Sequence, residues 1–147
     1  MQLPRFHRLR RAYYRLEGSR CPACETSYFP PRGICPSCRA GGLQPRSFSG
    51  RGTIYSFSRM NQPPRGFSEV GPYTVGMVRL EEGPLVMAQL TDVDGVEVTI
   101  GMPVEMVTRK IRENADNGYI VYGYKFRPRM PLPMALAASP QAEEVVL

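Results

Sequence analysis

Arg20-Cys21-Pro22-Ala23-Cys24, ten residues, then Cys35-Pro36-Ser37-Cys38-Arg39: residues 20–39 decide how the rest of the chain is read. All four cysteines of the protein lie here, in two C-x-x-C pairs. One such turn brings two thiols to one point, and two turns on facing hairpins make the tetrahedral four-sulfur cage of a structural zinc site. Pro22 and Pro36 each follow the first cysteine of a pair, where a backbone N–H is dispensable. Two disulfides, one redox pair or four unrelated buried thiols are the alternatives. Two pairs at this separation favour a zinc ribbon with Cys21, Cys24, Cys35 and Cys38 as ligands, and iron is the other metal such a cage accepts. Four thiolates around one zinc ion leave about two negative charges, and Arg20, Arg32 and Arg39 are close enough in sequence to screen them. Zinc knuckles commonly place Gly after the second cysteine, where left-handed backbone is wanted. Glu25 and Arg39 stand there instead.

Around this stretch, 147 residues leave room for one medium or two small domains. The net charge of +6 is unevenly spread. Residues 1–65 hold twelve Arg against two Glu (+10), and the remainder holds seven Lys or Arg against eleven acids (−4). A basic front half implies an anionic partner, whether nucleic acid, a phosphorylated cofactor or an acidic protein face. No run approaches twenty apolar residues, so no transmembrane helix is expected. The Arg-rich Met1 to Gly18 lacks the apolar core of a secretory signal. Metal-spaced cysteines without an export signal argue for the reducing cytoplasm.

Phe6, Leu9, Tyr13 and Leu16 recur at helical spacing, which predicts a helix from about Arg5 to Leu16 stopped by Gly18. A helix of about twelve residues is marginal alone, so it must dock. His7, the single histidine, has no neighbouring acid and reads as surface. Tyr28 to Gly33 forms the strand and turn between the two cysteine pairs, and Ala40 to Pro45, through Gly41-Gly42, reads as a linker. Five strand-like runs follow: Gly50 to Met60, Tyr73 to Leu80, Leu85 to Leu90, Pro103 to Ile111 and Tyr119 to Phe126. The second and third form a hairpin across Glu81-Glu82-Gly83-Pro84, and Asn114 to Gly118 turns between the last two. Five short strands with a glycine-marked bend in the first suit a closed barrel of the OB type. Thr91 to Ile100 is too short for the helix many such barrels carry there. Met130 to Leu147 is rich in Pro, Ala and Met without usable period and reads as a disordered tail. The expectation is a mainly β protein: a helical segment over 1–18, a zinc ribbon over 19–45, a five-stranded barrel over 46–128 and a tail over 129–147.

Catalytic machinery is thin. There is no G-x-S-x-G, Walker loop or H-E-x-x-H, and no second histidine to complete a base–nucleophile pair. The metal consumes every thiol, and a four-thiolate zinc has no open position for water. Asp92-Val93-Asp94-Gly95 has a faint likeness to a calcium loop, but the later ligands are missing and a hairpin turn explains it better. Tyr55, Phe57, Tyr73, Tyr119, Tyr122, Tyr124 and Phe126 interleave with Arg51, Arg59, Lys125 and Arg127. On a barrel that mixture could stack bases and follow phosphates, although Tyr122, Tyr124 and Phe126, at strand period, read better as core on one face. A long loop, Asn61 to Gly71, carries Arg65 and Phe67 on a proline-stiffened frame and looks shaped for a partner.

Residues 15–24 with Tyr28 to Arg32 and Cys35 to Cys38, then Gly50 to Phe57, Pro72-Tyr73, Ile100 to Val104 and Gly123 to Pro128, resemble a known family. It is the prokaryotic acyl-CoA-associated proteins, in which a rubredoxin-like zinc ribbon precedes an OB-fold domain. The resemblance spans roughly Arg5 to Pro128. It implies a structural zinc and a non-catalytic accessory or scaffold role beside thiolase-fold enzymes, of thiolase or hydroxymethylglutaryl-CoA synthase type, in lipid, sterol or isoprenoid-precursor metabolism. Contact with an acyl-CoA, if this chain makes it, is expected in a cleft between ribbon and barrel. Arg32, Arg51, Arg59 and Arg65 are the candidate phosphate partners there, and Phe67 an apolar wall. A single-stranded nucleic-acid-binding module is the alternative function. The net acidic barrel half argues against it, since a nucleic-acid groove carries its own positive charge.

Overall fold

The computed structural model describes residues 3–62, 71–113 and 118–130. Two short helices, α1 (Leu3–Arg8) and α2 (Arg10–Arg15), open the chain. The single helix expected over Arg5 to Leu16 is interrupted at Leu9, whose φ of −89° and ψ of 7° leave the helical region. Hydrogen bonds from Leu9 N to Arg5 O and from Tyr13 N to Leu9 O, both 3.0 Å, still bridge the break. The chain leaves α2 through Leu16, left-handed at φ 49° and fully buried.

A three-stranded antiparallel sheet follows, in the order β2-β1-β3, from β1 (Glu17–Arg20), β2 (Ser27–Tyr28) and β3 (Gln44–Ser47). The supposed linker at Ala40 to Pro45 is therefore partly strand. Gln44 and Pro45 pair with Arg20 and Ser19, so the exit of the ribbon is hydrogen-bonded into its own entry. Gly18 is required in this sheet, because a Cβ there would lie 2.2 Å from the Tyr28 carbonyl oxygen and 2.6 Å from the Phe48 ring.

The five expected barrel strands are all present: β4 (Arg51–Met60), β5 (Tyr73–Leu80), β6 (Leu85–Leu90), β7 (Pro103–Glu113) and β8 (Ile120–Pro128). They close in the order β4-β5-β6-β8-β7. Closure rests on β4–β7 pairing (Arg51↔Glu105 to Thr53↔Pro103) and on one parallel register, Leu90↔Phe126, between β6 and β8. A bulge between Ile54 and Ser56 bends β4 so that it serves both neighbours. At Gly52 a Cβ would meet the Arg79 carbonyl oxygen at 2.4 Å, so closure needs glycine there.

Ile54, Val78, Leu80, Val86, Ala88, Leu90, Val104 and Phe126 fill the barrel, and Leu16 and Phe48 join the same cluster from the preceding segments. The expectation that Tyr122, Tyr124 and Phe126 share one core face fails at its first member. Phe126 is buried and Tyr124 packs on the core, but Tyr122 is 41% exposed. It pairs with Lys110 on the far part of the β7–β8 ladder, beyond the strands that β4 closes over. Residues 91–102 hold no helix, as expected. They are not a hairpin, however: β6 borders β5 and β8, so the chain must cross β8 to reach β7. The Asp94-Gly95 turn, closed by Val96 N donating to Val93 O at 3.1 Å, belongs to that crossover. Among the described residues no helix is long and apolar enough to cross a membrane. The expectations for Arg65 and Phe67, for the turn at 114–117 and for the tail beyond Met130 fall outside the described residues.

Candidate metal centre

Both cysteine pairs are built alike. Cys21 N donates to Thr26 O and Cys35 N to Ala40 O, each at 2.9 Å, so each pair sits in a six-residue loop that folds back on its first cysteine. Folding back that tightly needs a left-handed residue after the second cysteine. Glu25 and Arg39 supply it at φ 58° and 60°, although neither is glycine. A side chain in that region costs on the order of 1 kcal/mol, so the two loops are held against a local preference.

The four Sγ atoms lie within 4.8 Å of one another. Cys21 to Cys38 and Cys24 to Cys35 are each 3.5 Å, far from a disulfide bond, and all four cysteines are free. A zinc ion about 2.3 Å from four tetrahedral sulfurs would set their separations near ~3.8 Å, so the cage has the size zinc requires. Cys21 and Cys35 are buried and Cys38 is exposed, which leaves the centre shielded on one side only.

The cage also has a polar partner that the cysteine spacing gave no sign of. Tyr28 places its hydroxyl 3.3 Å from Cys35 Sγ and 2.8 Å from Ser37 Oγ. This hydroxyl, ahead of the neighbouring backbone amides, draws the Cys35 thiol from its ordinary 9.0 down to about 6. Hydrogen bonding to the charged form favours a thiolate, the species that binds metal. Arg20, expected to screen the sulfurs, instead holds Glu25, with Nη2 2.6 Å from Oε1. Arg32 and Arg39 are exposed. An aromatic beside the cage would have been legible had the strand between the pairs been seen to lie against them.

Next to the cage, the ribbon locks onto the barrel. The Phe29 ring lies edge-on to Tyr124 at 5.4 Å between centroids and to Phe48 at 6.4 Å. From the other side Tyr13 of α2 stacks on Tyr124 at 6.3 Å, and Phe6 of α1 reaches Tyr13 and Tyr119. Helix, ribbon and barrel thus share one row of rings centred on Tyr124. Burial, with Tyr13 adding to it, pushes the Tyr124 hydroxyl up to about 12.

This packing changes where a cleft can be. Arg51 and Arg59 stand eight residues apart on β4, about 26 Å at strand rise, so no one phosphate group can meet both. Arg32, whose backbone N donates to Ser19 Oγ at 3.0 Å, is on the ribbon side, whereas Arg59 lines a cavity beneath the crossover. Tyr55, read as a base-stacking candidate, already carries the Arg79 guanidinium 4.7 Å from its ring centroid.

The description "ChsH2, rubredoxin-like zinc ribbon domain" matches residues 11–44, and "ChsH2, C-terminal OB-fold domain" matches 46–109. A DUF35 domain-containing scaffold protein of Pyrococcus furiosus is 48% identical over 130 residues, covering 87% of this chain and 93% of that protein. A probable enoyl-CoA hydratase alpha subunit of Thermomonospora curvata is 30% identical over 129 residues, which is 88% of this chain but 35% of that protein. Among solved structures, the Ltp2-ChsH2(DUF35) aldolase superposes with a TM-score of 0.63 at 29% identity, covering 86% of this chain and 93% of the matched one.

Proposed function

This chain belongs to the DUF35 family of zinc-ribbon and OB-fold proteins, and on that premise we propose that it is a non-catalytic scaffold subunit of a thiolase-type acyl-CoA enzyme. The observation that carries the reading is the 48% identity, over 87% of the chain, to a protein named a scaffold. The cage is consistent with it. Four cysteine sulfurs, Cys21, Cys24, Cys35 and Cys38, fill all four positions around a zinc and leave none for substrate or water. The metal's work is then structural, holding β1 and β2 where Phe29 can grip the barrel.

The hydratase and aldolase relatives support a partner in acyl-CoA chemistry. Since the hydratase subunit is nearly three times as long as its matched part, its chemistry can reside in the remainder. The partner we favour is a thiolase or a hydroxymethylglutaryl-CoA synthase type enzyme, met in the cytoplasm. Direct contact with CoA is the finer part of the proposal, and the separation of Arg51 from Arg59 divides the candidates: Arg32 and Arg51 near the ribbon, Arg59 at the far end of β4. Co-purification tests the scaffold role. The zinc-loaded chain and a thiolase encoded beside its gene should co-elute, and the thiolase should be more soluble or more active with the chain than without. Separate elution with indifferent thiolase solubility and activity would overturn it. Calorimetry of CoA against Arg51→Glu and Arg59→Glu separates the two phosphate placements.

A further inference from the structure

Where the crossover from β6 to β7 passes over the barrel it covers a cavity of about 570 Å³, within the range of small-molecule sites. Phe57, Val93 and Val98 give it apolar walls, and two cations, Arg59 and Lys125, line it. The cations differ. Arg59 is exposed, whereas Lys125 keeps only 8% of its surface accessible. A lysine normally lays its stem on apolar surface and carries its ammonium into water. Here little of the residue reaches solvent, although its ammonium is not sealed off, and among the described residues no carboxylate forms an ion pair with it.

The nearby charges make the omission sharper. Lys125 feels the Arg109 guanidinium, a like charge, and burial followed by that repulsion lowers its affinity for a proton. Asp92, an exposed carboxylate of the cavity lining, is held by Arg109 with Oδ2 3.4 Å from Nη2. Asp94 and Glu97 also line the cavity but are exposed. Among the described residues this largely buried cation has no ion-pair partner, a second positive charge stands beside it, and a bound anion in the partly apolar space it faces would offset the cost of its burial.

We propose that the cavity beneath residues 91–98 is a binding site for a small amphiphilic anion, a carboxylate or phosphate monoester with a short apolar body. Its oxyanion head meets Lys125 with Arg59 beside it, and its body lies on Phe57 and Val98. The exposed acids at the rim disfavour large polyanions and select for a compact single head. The inference goes beyond the scaffold reading and stands whatever enzyme the chain accompanies.

Butyrate, inorganic phosphate and the neutral butyramide are titrated separately into the zinc-loaded full chain at low ionic strength, followed by backbone amide spectra. Butyrate or phosphate should give saturable shifts at residues 91–98, Phe57 and Lys125, with butyramide at least tenfold weaker. Saturation by butyrate alone assigns a carboxylate head, by phosphate alone a phosphate head, and by both a general oxyanion site. Lys125→Met, which keeps the stem volume, should weaken binding at least tenfold, and Arg59→Gln severalfold. If Lys125→Met does not fold, Arg59→Gln decides. No saturable shift with either anion, equal binding of butyramide, shifts confined to other residues, or a folded variant that binds as the parent does would overturn the proposal.

Discussion

Removing the Phe29 ring is the sharpest test of how the ribbon is held. Phe29 is half-buried and touches Phe48 and Tyr124 edge-on, with centroids at 6.4 and 5.4 Å. A fully buried Phe→Ala change costs about 3–5 kcal/mol. Half burial reduces the transfer part to about 2 kcal/mol, and two edge contacts at roughly 0.5 kcal/mol each, the low end for such pairs, restore another 1. Phe29→Ala should therefore lose about 3 kcal/mol, a fall in melting temperature of roughly 10 °C for a chain of this size. Urea melts of the zinc-loaded protein, followed by tyrosine fluorescence and far-UV circular dichroism, give the value. A cycle with Tyr124→Ala isolates that one pair, whose coupling should be about 0.5 kcal/mol. Zinc content should not change, because the cage is closed by its own backbone hydrogen bonds. A loss below about 1 kcal/mol, or Phe29 and Tyr124 effects that simply add, would mean that the ring contact does not join ribbon to barrel.

Tyr28→Phe keeps the ring and removes the hydroxyl beside Cys35, so zinc affinity measured against a competing chelator should fall about 10- to 100-fold. The same variant should return the metal-free Cys35 toward 9.0. The parent Cys35, lowered to about 6, is thiolate at pH 7 and loses that form as pH falls through 6. Thiolate ultraviolet absorbance of the metal-free protein should therefore persist to lower pH in the parent than in the variant. Arg39→Gly removes a side chain from left-handed backbone at φ 60° and should stabilise the zinc-loaded ribbon by up to about 1 kcal/mol, read as slower zinc loss to chelator. Gly18→Ala drives a methyl to 2.2 Å from the Tyr28 carbonyl oxygen. It should cost more than about 3 kcal/mol, or prevent folding, since the obstacle is backbone and cannot rotate away.

The features legible in the sequence were those whose cause is local. A C-x-x-C turn specifies its own geometry, so the four ligand candidates and even the awkward left-handed positions at Glu25 and Arg39 could be located by counting. The barrel strands were legible for the same reason, as runs of β-branched and aromatic residues punctuated by turns. The β5–β6 hairpin was legible too, but where a partner distant in sequence decides the local outcome, counting failed. Gln44 and Pro45 read as linker because nothing in Gly41-Gly42-Leu43-Gln44-Pro45 announces that β1 lies beside them. Tyr122 kept the period of Tyr124 and Phe126 yet lies exposed, because where β4 stops covering the β7–β8 ladder is a property of the closed barrel.

The same distinction separates the two sites. The metal centre is written into seventeen residues of spacing, from Cys21 to Cys38, and Tyr28 falls within them because the strand joining the pairs must run past the sulfurs it connects. Lys125 sits at the opposite extreme. Its neighbours in sequence, Tyr124 and Phe126, assign it to the outer face of β8, where a lysine ordinarily reaches water. What encloses it is the passage from β6 to β7, and that passage crosses β8 only because the barrel closes in the order β6-β8-β7. With those two strands exchanged, residues 91–102 would make a short turn and Lys125 would stand in solvent. Asp92 would then have no reason to hold Arg109. The largely buried cation is thus a consequence of topology, and a barrel of identical composition with another strand order would not contain it.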